Sequence, residues 1–143
     1  MTAYNVPETP PTPTIRRRLA SMVYDGLLLL AVIFFGFLVP NVVLGVAARI
    51  VLPRGIELFH FLFVIGIYFV WFWRRDGRTL AMKTWRIKLV AADGSRPGLD
   101  QLILRIMLAG PSILLVFGLL WALVDRDRQF LHDRLCGTRL VIA

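Results

Sequence analysis

Cysteine is almost absent: Cys136 stands alone among 143 residues, which excludes an intrachain disulfide. Histidine is scarce as well, with two residues, and no Cys/His cluster has metal-ligand spacing. Neither a metal nor a cofactor is therefore expected. Acidic residues are few, nine against seventeen Lys and Arg, which leaves a net charge of +8. What is abundant is apolar: 57% of the chain is hydrophobic and the mean hydropathy is +0.69, against roughly 45–50% for a typical soluble domain. The apolar residues are bunched into long runs and the charges fall between them. That segregation predicts an all-α integral membrane protein. Nucleic acid would suit the net charge, but no recognisable groove-reading element accompanies it, and no nucleic-acid partner is expected.

The first fifteen residues, MTAYNVPETPPTPTI, hold four prolines and no apolar periodicity, and read as a disordered tail. The domain then occupies residues 16–143, with apolar segments at about 19–39, 56–73 and 99–124. The first is about 31 Å long at 1.5 Å per residue, the thickness of a bilayer core. Pro40 and Asn41 are expected to end it. It is longer than the roughly 7–15 residues of a secretory core and follows eighteen residues of other sequence, so it reads as a span and not a cleaved leader. The second segment ends in FVWFWRR, an aromatic belt followed by arginines. The third is interrupted by Arg105 and by Gly110-Pro111, where it is expected to break or kink.

Basic residues set the orientation. Arg16, Arg17 and Arg18 precede the first segment, seven Lys and Arg lie in the 74–98 loop, and the 40–55 connection has only Arg49 and Arg54. The tail and the large loop are thus expected in the cytoplasm. The C-terminal stretch is less simple. TWRIKLV (84–90) and GTRLVIA (137–143) are short and β-branched and could pair as a small ribbon. Pairing would require the third segment to turn back as two half-helices, which is tolerated only within protein. A single Pro-kinked span is the other reading, and the residues leave both open.

Charges inside the apolar runs are the candidate site. Asp25 sits seven residues after Arg18, on the same helical face but about 10 Å along the axis. Arg105 lies six residues into the third segment, as Asp25 does in the first, so an Asp25–Arg105 pair at equal depth is expected. Such a pair could hold helix register, or Asp25 could bind a proton or cation in a transport path. Glu57 and His60 start the second segment and are read as solvated at the outer interface. In the loop, Arg74, Arg75, Lys83, Trp85, Arg86 and Lys88 suit an anionic lipid surface as well as a plain topology signal. FLHDRLCGT brings His132, Asp133 and Cys136 together, but no residue to orient the histidine and no oxyanion donors can be identified. No catalytic residue is assigned and no enzyme is expected.

The motifs RRRLASMVYDG, RRDGRTLAMKTWRIKLVAADG and DRDRQFLHDRLCGT, in that order, resemble the RDD family of small bacterial membrane proteins over residues 15–143. By position, Arg18 matches the family arginine, Asp25 the aspartate of the first helix, and Asp133 the second aspartate. Ala81 stands where the family has glycine, and Cys136 where a small residue is common. The resemblance implies a bacterial inner-membrane location and a suspected role in transport without a settled substrate. Three segments enclose little space, so a homo-oligomer or a partner membrane protein is expected, alongside membrane lipid. An accessory protein that binds a partner or anionic lipid through its cytoplasmic face is the alternative function.

Overall fold

The structure, a computed structural model, describes residues 10–114, 116–126 and 128–143. It is mostly helical, and residues 1–9 of the proline-rich tail lie outside the described residues. Thr14 caps the first helix, α1 (Ile15–Ile33), its hydroxyl accepting from the Arg17 amide. The helix does not stop at Pro40. It passes through one π turn (Phe34–Leu38) into α2 (Val39–Ala47), giving 33 continuous residues. The expected break is overturned for a local reason. The Val39 amide reaches back five residues to the Phe34 carbonyl, which widens the turn just where the proline ring enters. One residue later the Asn41 side-chain amide donates to the Phe37 carbonyl at 2.7 Å. That bond gives an interior carbonyl a partner around the proline.

The same Asn41 nitrogen meets His60 Nδ1 at 3.2 Å, with the His60 ring against Phe37. His60 is thus half-buried and ties α2 to the next helix, where the sequence suggested only solvation. That helix, α3 (Arg54–Asp76), begins after Pro53 and ends at Gly77 in the left-handed region, φ 67°. The Gly77 carbonyl accepts from Leu89 at 2.8 Å, and a Cβ on Gly77 would lie 2.9 Å from the Leu89 carbonyl oxygen. Gly77→Ala is expected to cost about 1–3 kcal/mol, seen as a lower unfolding midpoint. An unchanged midpoint would show that the turn can relax.

Two helices, 15–47 and 54–76, are long and apolar enough to cross a membrane among the described residues. At about 50 and 35 Å they match or exceed a bilayer core. Their outward residues, among them Leu27, Phe35, Phe59 and Phe63, are exposed, as lipid-facing residues are. The third apolar run is not a third helix of that kind. It forms α5 (Leu99–Leu114) and α6 (Phe117–Val124), and Pro111 lies inside α5. The break comes at Val116, φ 58°, five residues beyond the proline. There α6 folds back so closely on α5 that a Cβ at Gly118 would collide with the Ser112 hydroxyl.

Between α3 and α5 lie a short helix, α4 (Leu80–Thr84), and a strand, β1 (Ile87–Ala91); after α6 come α7 (Leu131–Leu135) and β2 (Thr138–Ile142). The strands pair antiparallel, Ile87 with Ile142 through Ala91 with Thr138. The α5–α6 hairpin is therefore entered and left at the ribbon end. Ile87, Leu89 and Leu140 pack with Trp73, Met82 and Leu102 in a small core under the ends of α3 and α5.

Candidate functional site

One face of α1 carries Arg18, Ser21 and Asp25, spaced three and four residues apart and all buried. It faces α3, which presents Ile65, Phe69 and Trp73 at four-residue intervals. On the other side α5 offers Arg105, Ile106 and Ala109. These three helices, closed at one end by α7 and the ribbon, surround a cavity of about 500 Å³. Arg18, Asp25, Arg105 and His132 are on its wall; nearly everything else there is apolar.

Asp25 does not pair with Arg105. Its Oδ1 accepts from the Tyr68 hydroxyl at 3.1 Å and its Oδ2 from the Thr79 hydroxyl at 2.7 Å. Among the described residues no cation lies within ion-pair distance of it. Thr79, fully buried, also caps α4 by accepting from the Met82 amide at 3.2 Å. One hydroxyl thus fixes the α4 start and joins it to α1. Arg105 instead forms an ion pair with Asp133 and donates to the Thr138 hydroxyl at 3.2 Å. Its guanidinium lies 5.1 Å from the Trp73 ring centre. Equal depth in two helices was a sound argument only if those helices were neighbours. Here α1 and α5 face each other across the cavity, and α7 delivers a nearer carboxylate.

Arg18 has a different kind of shell. Its Nε donates to the Pro13 carbonyl at 3.1 Å and its Nη1 to the Arg128 carbonyl at 2.6 Å, with Phe130 beneath at 5.5 Å. Among the described residues, three buried donors of the lining side chains have no hydrogen-bond partner: Arg18 Nη2, Trp73 Nε1 and Arg105 Nε. The four charged candidates, Arg18, Asp25, Arg105 and Asp133, thus fall into three separate arrangements.

His132 Nδ1 lies 3.2 Å from the Ser112 hydroxyl, and its Nε2 lies 3.9 Å from the Asp133 carboxylate. Burial first, then the Arg105 charge, pushes its pKa down to about 3. The folded ring is therefore neutral, while the unfolded one takes up a proton as pH drops below its ordinary 6.5. Stability is expected to be full above that value and to fall by about 1.4 kcal/mol per pH unit down to about 3. His132→Gln should flatten this dependence in unfolding curves at pH 7 and pH 5; an equal slope in the variant would assign the loss to other groups. Cys136 is buried, which pushes its thiol pKa up and keeps it protonated.

The loop candidates lie elsewhere. Arg74, Arg75, Trp85 and Arg86 are exposed, Lys88 is half-buried, and Lys83 pairs with Asp76 at 2.7 Å. Sequence reasoning missed Tyr68 and Thr79. Tyr68 is hidden in an aromatic run, and the single trace of Thr79 was a hydroxyl residue ahead of a short apolar stretch, a cap signal.

The RDD family model matches residues 12–137, nearly the whole chain. A stretch of 79 residues is 38% identical to an uncharacterized protein of Rickettsia prowazekii (strain Madrid E), covering 54% of this chain and 44% of that one. The chain thus spans less than half the length of that relative. No solved structure matches.

Proposed function

The chain belongs to the RDD family of membrane proteins, and from that premise we propose that it carries an ion or small solute across the membrane through the cavity beside Asp25. The observation that carries this reading is the cavity itself, about 500 Å³ between the two long apolar helices and α5, with Arg18 and Asp25 on its α1 side and Arg105 on its α5 side. Ionisable groups at membrane depth are costly and usually mark a solute path or a fixed partner. Arg105 has its partner in Asp133. Asp25 has two hydroxyl donors and, among the described residues, no cation, which leaves a carboxylate able to exchange a proton or meet a charged solute.

The family resemblance favours a bacterial inner-membrane location, and the basic residues favour the N-terminus and the ribbon on the cytoplasmic side. Exposed apolar faces on α1 and α3 leave room for a second copy or a partner helix beside the lipid. The test is purified protein in liposomes, scored for dissipation of an imposed pH gradient by different cations and small solutes. Protein-dependent flux for at least one of them is expected; none for any would refute the reading.

A second reading has its own observation. Arg74, Arg75, Trp85 and Arg86 form an exposed basic and aromatic corner where α3 meets the ribbon. Such a corner can hold anionic headgroups at about 1 kcal/mol per basic residue. On that reading the protein is an accessory that binds lipid or a partner without flux. It predicts silent liposomes and stable co-purification with another membrane protein.

A further inference from the structure

We infer that residues 10–14, the end of the proline-rich tail, form a releasable strap over the ribbon end of the cavity, with Arg18 as the pin that holds it shut. The closure is a property of the fold. That it gates a solute path rests on the transport reading.

The seat of the tail is the first ground. The Pro11 carbonyl accepts from the Ile142 amide of β2 at 3.0 Å, and the Pro13 carbonyl accepts from Arg18 Nε at 3.1 Å. Pro13 is fully buried, while Pro11, Thr12 and Thr14 are exposed. The tail thus crosses the edge of β2 that faces away from β1 and sets one ring inward before Thr14 starts α1.

Arg18 is the second ground. Besides Pro13 it holds the connection between α6 and α7: its Nη1 donates to the Arg128 carbonyl at 2.6 Å, its guanidinium lies 5.5 Å from the Phe130 ring centre, and it feels the Asp125 carboxylate. A cation near a helix start is disfavoured by the helix dipole, so helix stability does not explain an arginine there. Arg18, Phe130 and Leu140 all line the cavity. One buried side chain therefore fastens both the tail and the connection to the wall that ends it.

The weakness of the hold is the third ground. Three of the five strap residues are proline and have no amide to donate, so the stretch attaches through carbonyls and one buried ring. A segment with so few bonds opens at far lower cost than the whole fold. At the other attachment Arg128 sits in the left-handed region, φ 51°, a backbone that side chains rarely adopt. The cavity's other opening is different in kind. Val23 and Ile113 line it and are exposed on the apolar outer surface, so that side meets acyl chains in a bilayer. For a water-borne molecule arriving at the ribbon end, the strap is the barrier.

The test uses the full chain with Ser21→Cys and Cys136→Ala in phosphatidylcholine nanodiscs, reacted with a charged, water-soluble methanethiosulfonate. Ser21 is 4% exposed, on the cavity wall and three residues from Arg18; Cys136→Ala removes the native thiol. The intact chain should react slowly. Arg18→Gln in the same background should react about tenfold faster or more, as expected for loss of a charge-assisted hydrogen bond. Arg18 also supports the fold, so deletion of residues 2–13 serves as the second variant. It removes the strap, keeps Thr14 as the cap of α1, and should elute and melt as the intact chain does while reacting at least about tenfold faster. If Arg18→Gln does not fold, the deletion decides alone.

A folded deletion variant or folded Arg18→Gln that reacts no faster than the intact chain would overturn the inference. An intact chain that reacts as fast as free cysteine would overturn it too. Failure of the transport reading looks different, because labelling needs no flux. Faster labelling in both variants with no flux of any solute supports the strap and refutes transport. Flux through the intact chain with labelling unchanged in both variants supports transport and refutes the strap.

Discussion

Asp133→Asn is expected to destabilise the protein by about 3–5 kcal/mol, enough to strip most native protein from a detergent extract. Asp133 is fully buried and Arg105 nearly so, and the two form an ion pair. Removing the carboxylate leaves a guanidinium with the Thr138 hydroxyl and the Trp73 ring, neither of which neutralises it. The large effect lies in that stranded charge, since a well-packed apolar pair at the same place can be nearly as stable as the ion pair. Arg105→Met combined with Asp133→Leu should accordingly recover most of the loss, and the double-mutant cycle should show strong coupling. Exchanging the charges of Asp25 and Arg105 should rescue nothing, because the two do not meet. The readout is the unfolding midpoint and the yield of monodisperse protein. Asp133→Asn melting with the wild type would remove the pair from any account of how α7 is held to α5.

The same pair marks how far the residues could be read. The long helices and their membrane character were legible because hydropathy is a sum over many residues, and no single contact can reverse it. That Arg18 and Asp25 share a face followed from helical spacing alone. Partners did not follow. A charge in an apolar run announces that something must meet it, but the identity of that group depends on which element is adjacent. Here Tyr68 on α3, Thr79 at the α4 cap and Asp133 on α7 arrive from distances of 28 to 54 residues along the chain. Backbone detail was lost for another reason. Pro40 and Pro111 are breakers by rule, yet one π turn absorbs the first, and the second is tolerated while the chain turns at Val116. These outcomes depend on carbonyls and close packing, such as Phe37 with Asn41 or Ser112 with Gly118, which composition does not encode.

Asp25→Asn is expected to reduce liposome flux to background while the protein still extracts and elutes as the wild type does. The two halves of that expectation have separate causes. Asn keeps the shape of Asp and one carbonyl oxygen, so it still accepts from either Tyr68 or Thr79. Its amide can donate to the other hydroxyl oxygen, and the clamp between α1, α3 and α4 survives at a cost of about 1 kcal/mol. What it cannot do is ionise. A carboxylate that exchanges a proton or meets a charged solute loses that ability entirely, so flux falls without unfolding. Thr79→Val gives the converse pattern: the carboxylate remains, one donor and the α4 cap go, and stability drops by about 1–3 kcal/mol. If Asp25 only fastens helices, Asp25→Asn leaves flux intact, and Thr79→Val alters it no more than its lower stability explains. Undiminished flux in folded Asp25→Asn therefore excludes a titrating role and leaves the carboxylate as a clamp whose charge is incidental. Lost flux with an unchanged elution profile assigns the charge itself to the path.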